Sequence, residues 1–305
     1  MELGEKGECL LHLAEGHFLI PDGFIIKSNA YLRYVNNIHL DHFLQRFKHL
    51  ENNFTYEDAE EMSKMIQELF IVDEFPYEIE NEISIVLDQL LQNPSIQNPL
   101  LAIRSSPTLG NAKTATTKPP YRSILNVSTS MSSVIQAILD CWKSLFSAEA
   151  LMYRKENKMH VFNYSISLIL QIMIPSQVSG VVYSCNPYTF SCDHALLNCI
   201  AGLGDPLMRE EVAYDSFVVQ KHDVNNTEWD NLLIVDRLIG DQSFALYSNY
   251  PEPGTTRVSL HDRSKEANLK DEQVCDFKIY SNYSRFIILL NMPLILSDIT
   301  MLPWK

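Results

Sequence analysis

Lys6 lies between two glycines, in "GEKG" at Gly4–Gly7. Arg104 closes an apolar stretch and is followed by Ser105, Ser106 and Thr108, in "LAIRSSPT". Further along, "AGLGD" at Ala201–Asp205 sets glycines and a carboxylate after another apolar stretch. Each feature has a plain reading of its own: a surface turn around a lysine, an arginine solvated where a strand surfaces, a glycine turn. Together they offer two fixed cations and exposed backbone N–H groups. Those are the parts that cradle a polyphosphate, because charge-assisted hydrogen bonds hold its oxygens more strongly than neutral ones.

Definite elements must position these residues. Lys6 opens a helix carrying Leu10, Leu11 and Leu13, and "IPDGF" then turns into a short strand at Phe24–Ile26. Ser28 is placed to cap the next helix. Apolar residues recur at helical spacing from Asn53 to Gln92, with Thr55 and Asp58 forming a capping-box variant. The strand "LLAIRSS" follows, with Arg104 at its end, and residues 109–120 read as a mobile surface loop. "SMSSVIQAILDCWKSLFSAEALMYRKENK", residues 130–158, reads as one long amphipathic helix. The period then changes: "SISLILQIMIP", "SGVVYSCNP", "ALLNCIAGLG", "DSFVVQKH" and "NLLIVDRLIG" are short apolar strands between turns. The expected class is therefore α+β, with lobes at 1–174 and 175–305 joined near Gln171–Pro175. The run Arg285–Leu296, broken by Asn291 and Pro293, is too short to span a bilayer and reads as a core strand or packed segment.

Bulk properties narrow the function. With 305 residues and 46% apolar content the chain can bury a substantial core. A net charge of -14 argues against nucleic acid as a partner held by the general field, so any anion must be bound by local groups. The first residues are charged and lack the apolar run of a secretory signal, so a cytoplasmic location with reduced thiols is expected. Cys185, Cys192 and Cys199 are spaced unlike zinc ligands and read as small buried hydrophobes. His160 and His194 fall in loops, with nothing beside them suited to accepting a phosphoryl group.

The order and wording of these segments resemble the nucleotide-binding domain of the phosphoenolpyruvate synthase and pyruvate phosphate dikinase family, which rifampicin phosphotransferases share. The resemblance rests on "GEKG…LIPDGFIIKSNAY", "IRSSPT", "CWKSLFSAEALMYR", "LQIMIPSQVSGVVYSCNP", "GLGD", "AYDSFVVQK" and "LKDEQV", in collinear order over residues 4–275. It implies an ATP-grasp fold of two lobes with the nucleotide in a cleft between them. By the matched motifs, Lys6 and Arg104 would contact phosphates. Gln171, Met173 and Ile174 would lie at the adenine, and Asp205 would take the place of the family's acidic residue. ATP would be the ligand and Mg2+ its companion ion, with Asp205 and Asp215 the carboxylates that could reach it. In the dikinases ATP phosphorylates a histidine on a separate swivelling domain.

The chain also departs from the family's wording. "SPTLGNAKTATTKPPYRS" replaces a glycine-rich acidic loop, and Gln242 stands where the family places a lysine after "IG". From about residue 276 the "IEW" and "QARP" strands are missing, and Asp276 and Asp298 are the only acids after Val274. The expectation is an ATP-binding domain of a dikinase-type phosphotransferase whose phosphohistidine domain comes from another chain. The alternatives are a non-catalytic remnant that binds nucleotide weakly and a stand-alone small-molecule kinase.

Overall fold

The computed structural model describes residues 3–16, 18, 20–50, 53–92, 97–108, 120–162, 164–183, 185–191, 193–220, 233–261, 266–275 and 288–292. Much of the replaced loop and of the divergent tail, including Asp276 and Asp298, lies outside them, as does Cys192. Helices are interleaved with strands in the first unit and strands dominate the second, and the strands of each sheet pair antiparallel, which makes it α+β. Two compact units are present; the first runs to Met173 and the second begins at Ile174.

The first unit holds helices α1 (Gly4–Glu15), α2 (Ser28–Asn37), α3 (Leu40–Leu44), α4 (Tyr56–Gln67), α5 (Tyr77–Leu91), α6 (Met131–Lys143) and α7 (Ala148–Glu156). Strands β1 (Gly23–Ile26), β2 (Leu101–Pro107), β3 (Ser123–Val127) and β4 (Ile166–Ile172) form an antiparallel sheet in the order β1-β4-β2-β3. Alternation along each strand gives this sheet two unlike faces. Leu101, Ile103, Ile166, Leu168 and Leu170 are buried in the main core with residues of α2 and α4–α7. The aromatic centre of that core is Trp142, which stacks on Phe75 at 5.8 Å and meets Tyr31 and Tyr34. The opposite face carries Ala102, Arg104 and Ser106 from β2, paired with Gln171, Ile169 and Ser167 of β4.

Three local expectations change. Residues 130–158 form two helices, because a 3-10 turn at Ser144–Phe146 ends α6 and the Ser147 side chain accepts from Ala150 N–H to start α7. Helix α4 has the reciprocal Thr55–Asp58 capping box, whereas Lys27 is the N-cap of α2 and Ser28 is already helical. Arg104 is mid-strand: β2 continues to Pro107 through pairs with β4.

The second unit holds β5 (Val178–Tyr183), β6 (His194–Ala201), β7 (Asp215–Gln220), β8 (Leu233–Leu238), β9 (Phe244–Ser248), β10 (Thr255–Ser259) and β11 (Ile288–Met292). It also holds the short helices α8 (Asp205–Met208) and α9 (Asp271–Cys275). Its five-stranded sheet, in the order β11-β5-β6-β7-β8, is antiparallel throughout. Apolar clusters cover both faces, one with Leu197, Phe217 and Val274, the other with Ile200, Leu207 and Phe244. Burial on both faces is why β6 reads as a continuous apolar run. Part of the apolar run 285–296 is β11, paired with β5. His194 is the first residue of β6, not a loop residue, and its Nδ1 lies 3.0 Å from Ser191 Oγ.

Candidate functional site

Lys6 is fixed to the strand that carries Arg104. Lys6 belongs to the first turn of α1 itself. Its Nζ donates to the carbonyl of Ser105 at 2.8 Å, one residue from Arg104. Glycines make that approach possible. Gly4 has φ +70, and a Cβ there would overlap the carbonyl and hydroxyl oxygens of Ser106. Gly7 N–H donates to Ser106 Oγ at 3.2 Å, and that hydroxyl donates to the Leu3 carbonyl at 2.9 Å. The serines after the arginine thus dock the helix that carries the lysine.

Arg104 and Gln171 are diagonal neighbours across the β2–β4 ladder, within reach of long side chains. Arg104 Nη1 donates to Gln171 Oε1 at 3.2 Å. Among the described residues no carboxylate pairs with this guanidinium. Burial lowers its pKa, since desolvation disfavours the charged form. A desolvated cation without a counter-charge is the electrostatic setting of an anion site. Arg154, which the sequence reading left aside, differs in access: it is fully buried, its Nε donates to the Val161 carbonyl at 2.8 Å, and its guanidinium lies 5.0 Å from the Tyr164 ring centre. That arginine is part of the fold, and no ligand can reach it.

The other expected site residues sit as follows. Met173 belongs to the first unit, and its N–H donates to the Leu100 carbonyl at 2.7 Å. Ile174 opens the second unit, and its carbonyl accepts from Ser176 N–H at 2.8 Å. Asp205 opens α8 and pairs with Arg209 Nε at 3.0 Å. The glycines before it are used internally. Gly202 N–H donates to the Gln177 carbonyl and Leu203 N–H to the Leu246 carbonyl, so these two donors are not exposed as the sequence suggested. At φ +77 Gly202 also lets β9 approach where a Cβ would overlap Leu246.

Asp215 is almost fully buried. One of its oxygens accepts from Gly240 N–H at 3.0 Å, the other from Asn268 N–H and Nδ2 at 2.7 and 2.9 Å. Asn268 Nδ2 also reaches Gln242 Oε1, which accepts from Ala201 N–H at 2.9 Å. Gln242 is therefore a buried amide tying the end of β6 to Asn268 and to the start of β9. Among the described residues there is no group of three or more His, Cys, Asp or Glu suited to a metal. With Asp205 in an ion pair and both Asp215 oxygens engaged, neither carboxylate fits Mg2+ as it stands.

All of Asp215's partners are donors, so Asp215→Asn turns an amide NH2 toward an N–H and should cost about 1–3 kcal/mol. Burial holds the Asp215 pKa above the usual carboxylate value. Its contribution to stability is then greatest below the unfolded pKa, near 4, and is lost as pH rises through the folded value. The wild-type advantage over Asp215→Asn should accordingly shrink from about pH 4 upward in urea unfolding. An advantage that grows with pH would show that the hydrogen bonds outweigh burial.

Fold and site together define an α+β protein of antiparallel sheets, the four-stranded one bearing a desolvated arginine with no carboxylate partner among the described residues and seating a lysine-bearing helix through glycines. The chain belongs to the pyruvate phosphate dikinase AMP/ATP-binding domain family, whose profile matches residues 1–285. It is 27% identical over 229 residues to a phosphoenolpyruvate synthase of Aeropyrum pernix, covering 74% of this chain and 28% of the relative. It is 26% identical over 280 residues to the rifampicin phosphotransferase of Bacillus subtilis, covering 89% and 30%. An uncharacterized phosphotransferase of the same bacterium, YvkC, is 27% identical over 218 residues, covering 72% and 23%. The chain thus spans less than a third of the length of these curated relatives. Among the described residues no helix is long and apolar enough to cross a membrane.

Proposed function

We propose that this chain binds ATP through the polar face of its first sheet, as the nucleotide-binding part of a dikinase-type phosphotransferase. Lys6 and Arg104 take phosphate oxygens, the stretch from Gln171 to Ile174 lies at the base, and Asp205 is the acidic residue of the site. The two-lobed ATP-grasp arrangement, and a phosphohistidine domain on another chain, belong to the same proposal. The observation that carries it is Arg104, desolvated and without a carboxylate partner among the described residues. Phosphoryl transfer asks such a domain for charge neutralisation and alignment more than for covalent chemistry.

A weakly binding, non-catalytic form of the same fold is the second reading. It is favoured by the internal use of the Gly202 and Leu203 donors and by the full engagement of Asp215. Two cations without a ready metal site suit a Kd between about 10 μM and about 1 mM. Isothermal calorimetry with ATP, with and without Mg2+, measures it. Submicromolar binding, or none at millimolar ATP, overturns the estimate. A more than tenfold gain on adding Mg2+ would eliminate the second reading's premise of a lost metal site.

A further inference from the structure

The amide of Gln171 touches both the arginine and the turn before β1. It is 4% exposed. Its Oε1 accepts from Arg104 Nη1 at 3.2 Å, while its Nε2 donates to the Pro21 carbonyl at 3.4 Å. Gly23 pairs with Gln171 across the β1–β4 ladder, and a Cβ on that glycine would lie 3.0 Å from Gln171 Cγ. The side chain is therefore confined by its own strand, by the Pro21 carbonyl and by the space Gly23 leaves open. Both polar ends of the amide are in use, one of them on the cation.

We propose that Gln171 is a positioning residue: it holds the Arg104 guanidinium in place for phosphate, and its side chain does not read the base. The inference rests on the ATP-binding reading above. Two physical points support it. A guanidinium already bonded on one nitrogen loses less rotamer freedom when a ligand engages the others. A neutral amide also fixes the orientation without spending charge, whereas a carboxylate there would neutralise Arg104 before any anion arrived. Among the described residues no acceptor takes the remaining guanidinium donors, and in a desolvated setting a phosphate oxygen is their strongest partner.

Three probes separate the roles: ATP, inorganic tripolyphosphate and adenosine, titrated against wild type, Gln171→Glu, Gln171→Met and Arg104→Ala. Both Gln171 replacements keep the side chain's length, and thermal unfolding checks each fold. Gln171→Glu should weaken ATP and tripolyphosphate alike by about tenfold or more, and Gln171→Met by about threefold. Adenosine binding should not change. In the Arg104→Ala background Gln171→Met should have no further effect, since the amide acts through the arginine. The inference fails if the Gln171 variants weaken ATP and adenosine equally and spare tripolyphosphate, because the side chain then reads the base. It fails also if the two losses simply add. Arg104→Ala leaving ATP and tripolyphosphate unchanged is a different result: it sinks the phosphate reading itself.

Discussion

Trp142→Ala is expected to cost the chain about 3–5 kcal/mol, a large fraction of a typical domain's stability. Trp142 is fully buried, its ring stacked on Phe75 and packed against Tyr31 and Tyr34. Helices α2 and α6 and the stretch before α5 meet at that one side chain. Truncation leaves a cavity whose lining residues sit on different elements and cannot all move in. Trp142→Phe is expected to cost far less, no more than about 2 kcal/mol. The reason is specific: Trp142 Nε1 is buried without a hydrogen-bond partner among the described residues, so phenylalanine sheds an unsatisfied donor while keeping most of the stacking. Urea unfolding followed by circular dichroism tests the pair. Equal losses in the two variants would mean that the indole N–H is bonded in solution and the cavity argument is secondary.

The contrast between Trp142 and Arg104 shows what a linear pattern can carry. Helical spacing put Val134, Ile138, Leu139 and Trp142 on one face, and they are buried together because that period is a property of the helix alone. The change to strands after the helices was equally legible, since strand burial follows composition over a few residues. Local capping was legible where it closes on itself, as in the Thr55–Asp58 box. What could not be read is register. Arg104 looked like the end of a strand because Ser105 and Ser106 are polar, yet the ladder runs on through them, and both hydroxyl-bearing residues are buried. The Arg104–Gln171 contact joins residues 67 apart and depends on a diagonal offset between two strands. No local spacing encodes that offset. Glycines were legible as breaks but not in purpose: Gly4 and Gly202 each make room for a backbone far away in the sequence.

Gly4→Ala is expected to separate the site from the fold. An alanine at φ +70 is strained by about 1–2 kcal/mol, and its Cβ would overlap the carbonyl of Ser106. That carbonyl is backbone of β2, held at this point by pairing with Ser167 of β4, so the strand resists displacement. The first turn of α1 must move instead. It can do so cheaply, because the only buried residues of α1 are Gly4 and Gly7, and the main core takes no residue from this helix. Lys6 then leaves the Ser105 carbonyl, and its charge is no longer fixed to the strand that carries Arg104. Losing one charge-assisted contact predicts at least a tenfold drop in ATP affinity. The thermal midpoint should fall by less than about 4 °C, a small shift for a chain this size. Amide exchange gives a local readout: Gly7 N–H, bonded to Ser106 Oγ, should exchange much faster in the variant while the β2 amides keep their protection. Unchanged ATP affinity alongside fast Gly7 exchange would remove Lys6 from the site. A midpoint loss as large as that of Trp142→Ala would show that α1 folds with the core, and that its glycines are stability residues before they are anything else.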